Sequence, residues 1–398
     1  MKKAGPQKSL LNGGMRALHL PGLNGLRAIA ALGVVISHIT LSLDKFGLNT
    51  RIFGTYNDGT AEGLDLAGDG VTIFFVLSGF LITYLLLREK EIKKISVRNF
   101  YIRRILRIWP LYYLYLTVSV IVAVIYGLHV EKSSIPFYVF LAANVPFLLD
   151  KTLPFVGHYW SLGVEEQFYL FFPQLAKKTN RTLFRGAMVL LSALLLLKIF
   201  FWLLQKKYAL GMPLLAITVT RFHVMLMGVM AAGLYYYENK FFLSVTTNRI
   251  VQILSWVCVV LIAINKFHIA AVLDQELVAL IAVCLIMGQV TRKNYIINLE
   301  NKVCDFVGKI SYSLYVIHPL LIFFFAKLIG NAGSDSPRVY IEIYVLITAA
   351  SVLTAYLSYE FFEKRFLKLK EKFSAIKSSD TKVMKEQDIV PNLQLANS

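Results

Sequence analysis

Apolar residues in this chain fall in long runs, not in the alternating or one-faced patterns of a soluble fold. Runs at about 24–43, 70–88, 105–127, 162–176, 186–204, 213–236, 249–265, 268–290, 309–330 and 340–362 read as membrane-crossing helices. The stretch 136–149 is also apolar, but Pro136, Asn144 and Pro146 interrupt it, which predicts an interfacial or re-entrant piece. Asn265-Lys266-Phe267-His268 is a very short connection and predicts an antiparallel helix pair. Polar residues 1–22 and 367–398 read as tails flanking one domain at 23–366. The fold class that follows is all-α, a polytopic integral membrane protein of about ten transmembrane helices.

Composition agrees. Only 17% of the 398 residues are charged, 57% are hydrophobic, and the mean hydropathy is +0.59. A soluble domain carries about 25% charged residues. The net charge of +18 would direct attention to nucleic acid in a soluble protein. Its placement gives another cause. With ten crossings and the N-terminus inside, inner segments sum to +21 and outer segments to −1. The positive-inside rule then puts both termini in the cytoplasm, and no nucleic-acid partner is needed. The first apolar run is long and lacks a small-residue cleavage site, as in a retained signal anchor. Cys258, Cys284 and Cys304 show neither a disulfide framework nor zinc-ligand spacing, so no metal is expected.

Polar chemistry interrupts the lipid-like sequence in five places. Arg27 and His38 are eleven positions apart, close to three turns, so they share a helix face roughly 16 Å apart along the axis. Ionisable groups at that depth face a bundle interior or a wet cavity; a snorkelling arginine and a packed histidine are the bland alternative. Ser78-Gly79 lies near the middle of the second span, where small residues also serve simple helix packing. Arg103, Arg104 and Arg107 stand at the cytoplasmic mouth of the third span, suited either to bidentate phosphate binding or to an ordinary topological stop. His158, Trp160, Ser161, Glu165, Glu166, Gln167 and Tyr169 make the least lipid-like start of any span. Ser311, Tyr312, Tyr315 and His318 precede Pro319, and Ser311, Tyr315 and His318 share a stripe. Arg221, His223 and Glu360 are further intramembrane candidates, while Lys198, Lys327, Asp274 and Glu276 read as snorkelling or interfacial.

Taken together, these segments resemble membrane-bound acyltransferase family 3, bacterial O-acyltransferases of envelope and exported glycans. The resemblance covers residues 20–366 and rests on Arg27-x10-His38, the SGFL segment at Ser78, Arg104-x-x-Arg107, the WSLxxExQFY segment from Trp160 to Tyr169, and the late Ser311 to Pro319 signature. Two positions depart from it. Asn24 stands where many members carry aspartate in an LDGLRA segment, and Thr72 where many carry it in a GVD segment. Some members add an extracytoplasmic hydrolase-like domain; this chain reads as the membrane domain alone.

The resemblance implies an acyl-CoA-dependent enzyme of the bacterial cytoplasmic (inner) membrane. Acyl-CoA, acetyl-CoA first, is the donor substrate, with no permanently bound cofactor. A glycan or lipid-linked saccharide is the acceptor, and the lipid bilayer is the solvent. His38, Arg27 and Glu165 are the catalytic candidates. Arg103, Arg104, Arg107, Ser78 and Gly79 are assigned to the donor. His158, Trp160, Ser161, Gln167, Tyr169, Ser311, Tyr312 and His318 are assigned to the acceptor or to support. Direct transfer and an acyl-enzyme route both fit these residues. A transporter with a buried His/Arg/Glu relay is the competing reading.

Overall fold

A computed structural model describes residues 19–55, 64, 66–208 and 210–374. Residues 1–18 of the expected tail 1–22, 375–398 of the expected tail 367–398, and 56–63 and 65 of the loop 44–69 lie outside the described residues. Among the described residues fifteen α-helices follow in order: α1 (Leu23–Thr40), α2 (Leu66–Ile92), α3 (Val97–Ile125), α4 (Ile135–Val139), α5 (Asn144–Leu148), α6 (Trp160–Lys177), α7 (Asn180–Tyr208), α8 (Gly211–Thr220), α9 (Phe222–Tyr236), α10 (Lys240–Thr246), α11 (Arg249–Ala263), α12 (Asp274–Thr291), α13 (Lys302–Ile329), α14 (Pro337–Ser358) and α15 (Lys364–Glu371). A π-turn, Tyr359–Glu363, joins the last two.

The protein is an all-α, multi-pass membrane protein. Among the described residues, eight spans are long and apolar enough to cross a bilayer, and a ninth appears if α10 and α11, bent by 52°, count as one. Helix α6 supplies the remaining expected span; it is 18 residues long, but Glu165, Glu166 and Lys177 make it less lipid-like. The stretch 136–149 forms only the short helices α4 and α5.

Helices α7 and α13 begin at Asn180 and Lys302 instead of 186 and 309, and three further differences have a visible local cause. Helix α3 starts at Val97 instead of 105 because the Ser96 side chain accepts from the Asn99 N–H at 3.3 Å. The arginine triplet therefore sits inside a helix, with fixed spacing. Helix α12 starts at Asp274 instead of 268, because the Asp274 carboxylate accepts from the Ile269 and Ala270 N–H groups at 2.9 and 3.1 Å and holds residues 264–273 as a loop. The expected span 213–236 is broken at Arg221, whose φ of +46° separates α8 from α9.

Helix α2 is the hub, packed on α1, α9 and α12, while α1 packs along α13. Close approach is set by glycine. A Cβ at Gly79 would lie 2.0 Å from the Met225 carbonyl oxygen, and one at Gly228 would lie 2.2 Å from that of Val76. Gly79, expected at the donor, thus belongs to the α2–α9 seam, because only a residue without a Cβ fits there.

Lys198 and Glu276 depart from the snorkelling expectation. Lys198 is 2% exposed and donates to Glu276 at 2.8 and 3.0 Å, while His223 lies 3.0 Å from the same carboxylate. The group ties α7, α9 and α12 together; burial of a cation at this depth demands such a partner.

Candidate active site

A cavity of about 290 Å³ opens among the N-terminal ends of α1, α3 and α13, the C-terminal part of α2, and the π-turn with α15. These elements turn several basic side chains into the cavity. The walls hold Arg27, Arg103, Arg104, Arg107, Lys309 and Lys370, set against Glu165, Glu300, Asp305 and Glu363. Hydroxyl groups of Ser78, Ser161, Ser311, Tyr169, Tyr312 and Tyr315 complete the polar lining.

Each arginine is held differently. Arg27 donates to the Asn24 side chain at 3.2 Å, and Asn24 donates to Asp305 at 3.2 Å. An acid therefore still reaches Arg27 through the asparagine that replaces the family's aspartate. Arg103 donates to Glu89 at 2.9 Å and to the Phe373 carbonyl at 2.9 Å, anchoring the chain beyond α15. Arg104 lies flat on the Tyr169 ring, 4.5 Å from its centroid. The Tyr169 hydroxyl and the Ser78 hydroxyl both donate to Glu165. Glu165, expected beside the acceptor or an imidazolium, has its hydrogen bonds on this arginine-lined wall. Glu166 faces elsewhere and accepts from Trp109 at 3.1 Å. At the mouth, His19 meets Glu300 at 2.5 Å, and Glu300 also accepts from the Gly22 N–H at 2.6 Å. The hydrogen bond from Glu300 raises His19 above its ordinary value, and that from His19 lowers Glu300.

The cavity ends at Ser161 and Tyr315, whose hydroxyl oxygens are 2.5 Å apart and lie 3.1 and 2.9 Å from the His158 carbonyl oxygen. Beyond them sit three histidines. His38 Nδ1 and His318 Nε2 are 2.6 Å apart, and the His158 ring lies 5.3 Å from that of His318 and 6.2 Å from that of His38. Three segments thus converge: α1, the turn before α6, and α13.

Other expected site residues take structural partners. Ser311 donates to the Gly308 carbonyl and Tyr312 to the Ile108 carbonyl, each at 2.8 Å. Gln167 pairs with Asn144 at 2.7 Å and fastens α5 to α6. Trp160 lies beneath the Arg221 guanidinium at 5.3 Å and stacks on Phe147. Arg221 donates to the Gly68 carbonyl at 2.6 Å and to Thr72 at 2.8 Å. Thr72 therefore faces Arg221, with Asp69 one turn away supplying opposite charge.

The sequence did not single out Asp305 or Glu363. Glu363 is 7% exposed, accepts from Ser313 and Ser358, and reaches the cavity from the π-turn. An acid at the end of the last span was the available signal, and π-bulges often mark functional sites.

Fold and site define a polytopic membrane protein with a basic cavity that ends short of a histidine cluster. The chain belongs to acyltransferase family 3: the model of that acyltransferase domain matches residues 20–360. It is 28% identical over 381 residues to proteins of Staphylococcus aureus strains COL and MRSA252, each named as an inferred O-acetyltransferase; the match covers 88% of this chain and 58% of each relative. The chain thus spans somewhat over half the length of these curated relatives. It is also 32% identical over 166 residues to the O-acetyltransferase OatA of S. aureus strain NCTC 8325, covering 39% of this chain and 24% of that protein. No solved structure matches the chain.

Proposed function

We propose that the chain is an O-acyltransferase of a bacterial cytoplasmic membrane, moving an acyl group, acetyl first, from cytosolic acyl-CoA to a hydroxyl of an envelope or exported glycan. The observation that carries this reading is the arginine-lined cavity leading toward a histidine pair. Guanidinium groups recognise phosphate by paired hydrogen bonds, and Arg104 and Arg107 stand three residues apart on α3 within the lining. Family membership and the relatives' O-acetyltransferase names support acyl transfer.

In this reading the nucleotide of CoA sits at the mouth and the pantetheine arm runs inward past Ser78 and Tyr169. The acceptor hydroxyl oxygen attacks the thioester carbonyl carbon while His38 takes the hydroxyl proton. The carbon–sulfur bond then breaks, and the leaving thiolate takes up the proton to give free CoA. Arg27 steers the donor and offsets negative charge as it develops. Glu165 acts on the donor side, holding Ser78 and Tyr169 in place. For the thioester to meet His38, the Ser161–Tyr315 pair must part.

The test is acetyl transfer and CoA titration with the purified full chain. His38→Gln is expected to lower turnover about 10²–10⁴-fold with CoA affinity and folded yield kept. Arg104→Ala with Arg107→Ala is expected to weaken CoA binding with the fold intact. Near-normal turnover in His38→Gln removes it as the base, unchanged affinity in the arginine variant removes the donor site, and a wild-type protein that ignores acetyl-CoA returns the transporter reading.

A further inference from the structure

Pro319 lacks an N–H, so a hydrogen bond is missing from the middle of α13. Tyr115 of α3 repairs the backbone there. Its hydroxyl donates to the Ile317 carbonyl at 3.0 Å and accepts from the Leu320 N–H at 3.0 Å. The segment is therefore locked, and His318 with it: the residue is fully buried, with Nδ1 3.1 Å from the Leu314 carbonyl.

That contact fixes where the protons are. A carbonyl oxygen only accepts, so His318 Nδ1 carries a hydrogen. Neutral imidazole has one, so His318 Nε2 is bare and accepts. Its partner at 2.6 Å is His38 Nδ1, which must therefore donate. The rings are 4.9 Å between centres and within 18° of parallel, a spacing that this N···N contact leaves when the rings lie edge to edge in one plane. His38 Nδ1 holds that ring's single hydrogen, and Nε2 is left with its lone pair. His158 does not disturb the assignment: its ring centre stands 6.2 Å from that of His38 and 5.3 Å from that of His318, and its buried Nε2 bonds neither.

We infer that His318 is a positioning residue, which holds His38 in the Nδ1–H tautomer and presents a bare Nε2 to the acceptor hydroxyl. The inference rests on the reading of His38 as the base. In water the opposite tautomer predominates, with Nε2 protonated and unable to take a proton. The chain from the Leu314 carbonyl through His318 to His38 does what a second group commonly does for a working histidine: it sets which nitrogen is free and which way the ring faces. The proton His38 takes up goes onto Nε2. The imidazolium formed keeps its Nδ1–H bond to His318, so no rearrangement of the pair is needed within the step.

The experiment reads the tautomer directly and does not depend on turnover. The full chain, with ¹⁵N-labelled histidine rings, is placed in lipid bilayers at neutral pH. The His38 signals are assigned by their loss in His38→Gln. Wild type is expected to show a protonated Nδ1 and a bare Nε2 at His38. In His318→Leu the His38 signals should shift to the Nε2–H form. Acetyl transfer should then fall at least about 10²-fold, with KM for acetyl-CoA little changed. His318→Gln, whose amide oxygen can accept from Nδ1–H, should retain the wild-type His38 spectrum and most of kcat; His318→Asn is too short to reach and should behave as the leucine variant. A protonated Nε2 in wild type, or a His38 spectrum unmoved in His318→Leu, overturns the inference, as does full kcat in His318→Leu. If the spectra change as stated but the wild type turns over no acetyl-CoA, the positioning stands and the acyl-transfer reading falls.

Discussion

Among single side chains, the clasp of His19 on Glu300 at the cavity mouth has a consequence that depends on pH. Both groups lie ahead of a span, in contact with water. His19 is raised above 6.5 by its hydrogen bond to Glu300, so its share of stability is complete below about pH 6.5 and lost as pH rises through the raised value. Glu300 is lowered below 4.5 by its hydrogen bond to His19, so its share is complete above about pH 4.5 and lost as pH falls through the lowered value. The difference in melting temperature between wild type and His19→Asn is expected to be largest between about pH 5 and 6.5 and to shrink toward pH 9. A difference that grows with rising pH would contradict the pairing.

Residue identity made much of the site visible before its geometry was known. Arg27 and Glu165 drew attention because ionisable groups are costly in lipid, Arg104 and Arg107 because paired guanidiniums suit phosphate, and all four line one cavity. What each touches was not legible. Contacts such as His38 with His318 span 280 positions of chain, and no local pattern encodes them. Gly79 shows the limit from the other side: a small residue in a span serves a ligand or a neighbouring helix equally well until the neighbour, here Met225, is seen.

On the scale of elements, three helices depend on one half-buried carboxylate. Glu276 of α12 is the partner of Lys198 from α7 and lies against His223 from α9. Removing one member of a buried pair strands the other charge, which costs about 3–5 kcal/mol. Glu276→Gln is therefore expected to lower thermal stability in detergent by that order. Lys198→Met combined with Glu276→Leu should recover most of it, since apolar replacement of a buried pair is often neutral. A stable single variant would show that the pair holds nothing together. Span positions were legible from apolar runs alone, because length and hydropathy are local properties. The break at Arg221 was not. Its left-handed backbone is stabilised by bonds to Gly68 and Thr72 on another helix, and the sequence around it reads as continuous helix.

For the whole molecule, the charge asymmetry of +21 against −1 predicts that the cavity mouth faces the cytosol. With Cys258, Cys284 and Cys304 replaced by serine, a cysteine at exposed Lys132 should react with an impermeant thiol reagent on intact spheroplasts. One at exposed Lys93 should react only after permeabilisation. The reverse pattern would set the arginines on the side away from cytosolic acyl-CoA. Sidedness was readable because charge count needs no tertiary information, whereas the depth of the cavity depends on where helices α1, α2, α3, α6 and α13 leave space between them.

The stop at Ser161 and Tyr315 bears on the cell's energy economy. A polar passage running clear across this protein would be a short circuit for the proton-motive force. The cavity instead ends about half way along α13, at two hydroxyls 2.5 Å apart that lie against one carbonyl, with close-set imidazole rings behind them. That barrier lets a deep polar recess open on one face of the membrane while the bilayer remains an insulator.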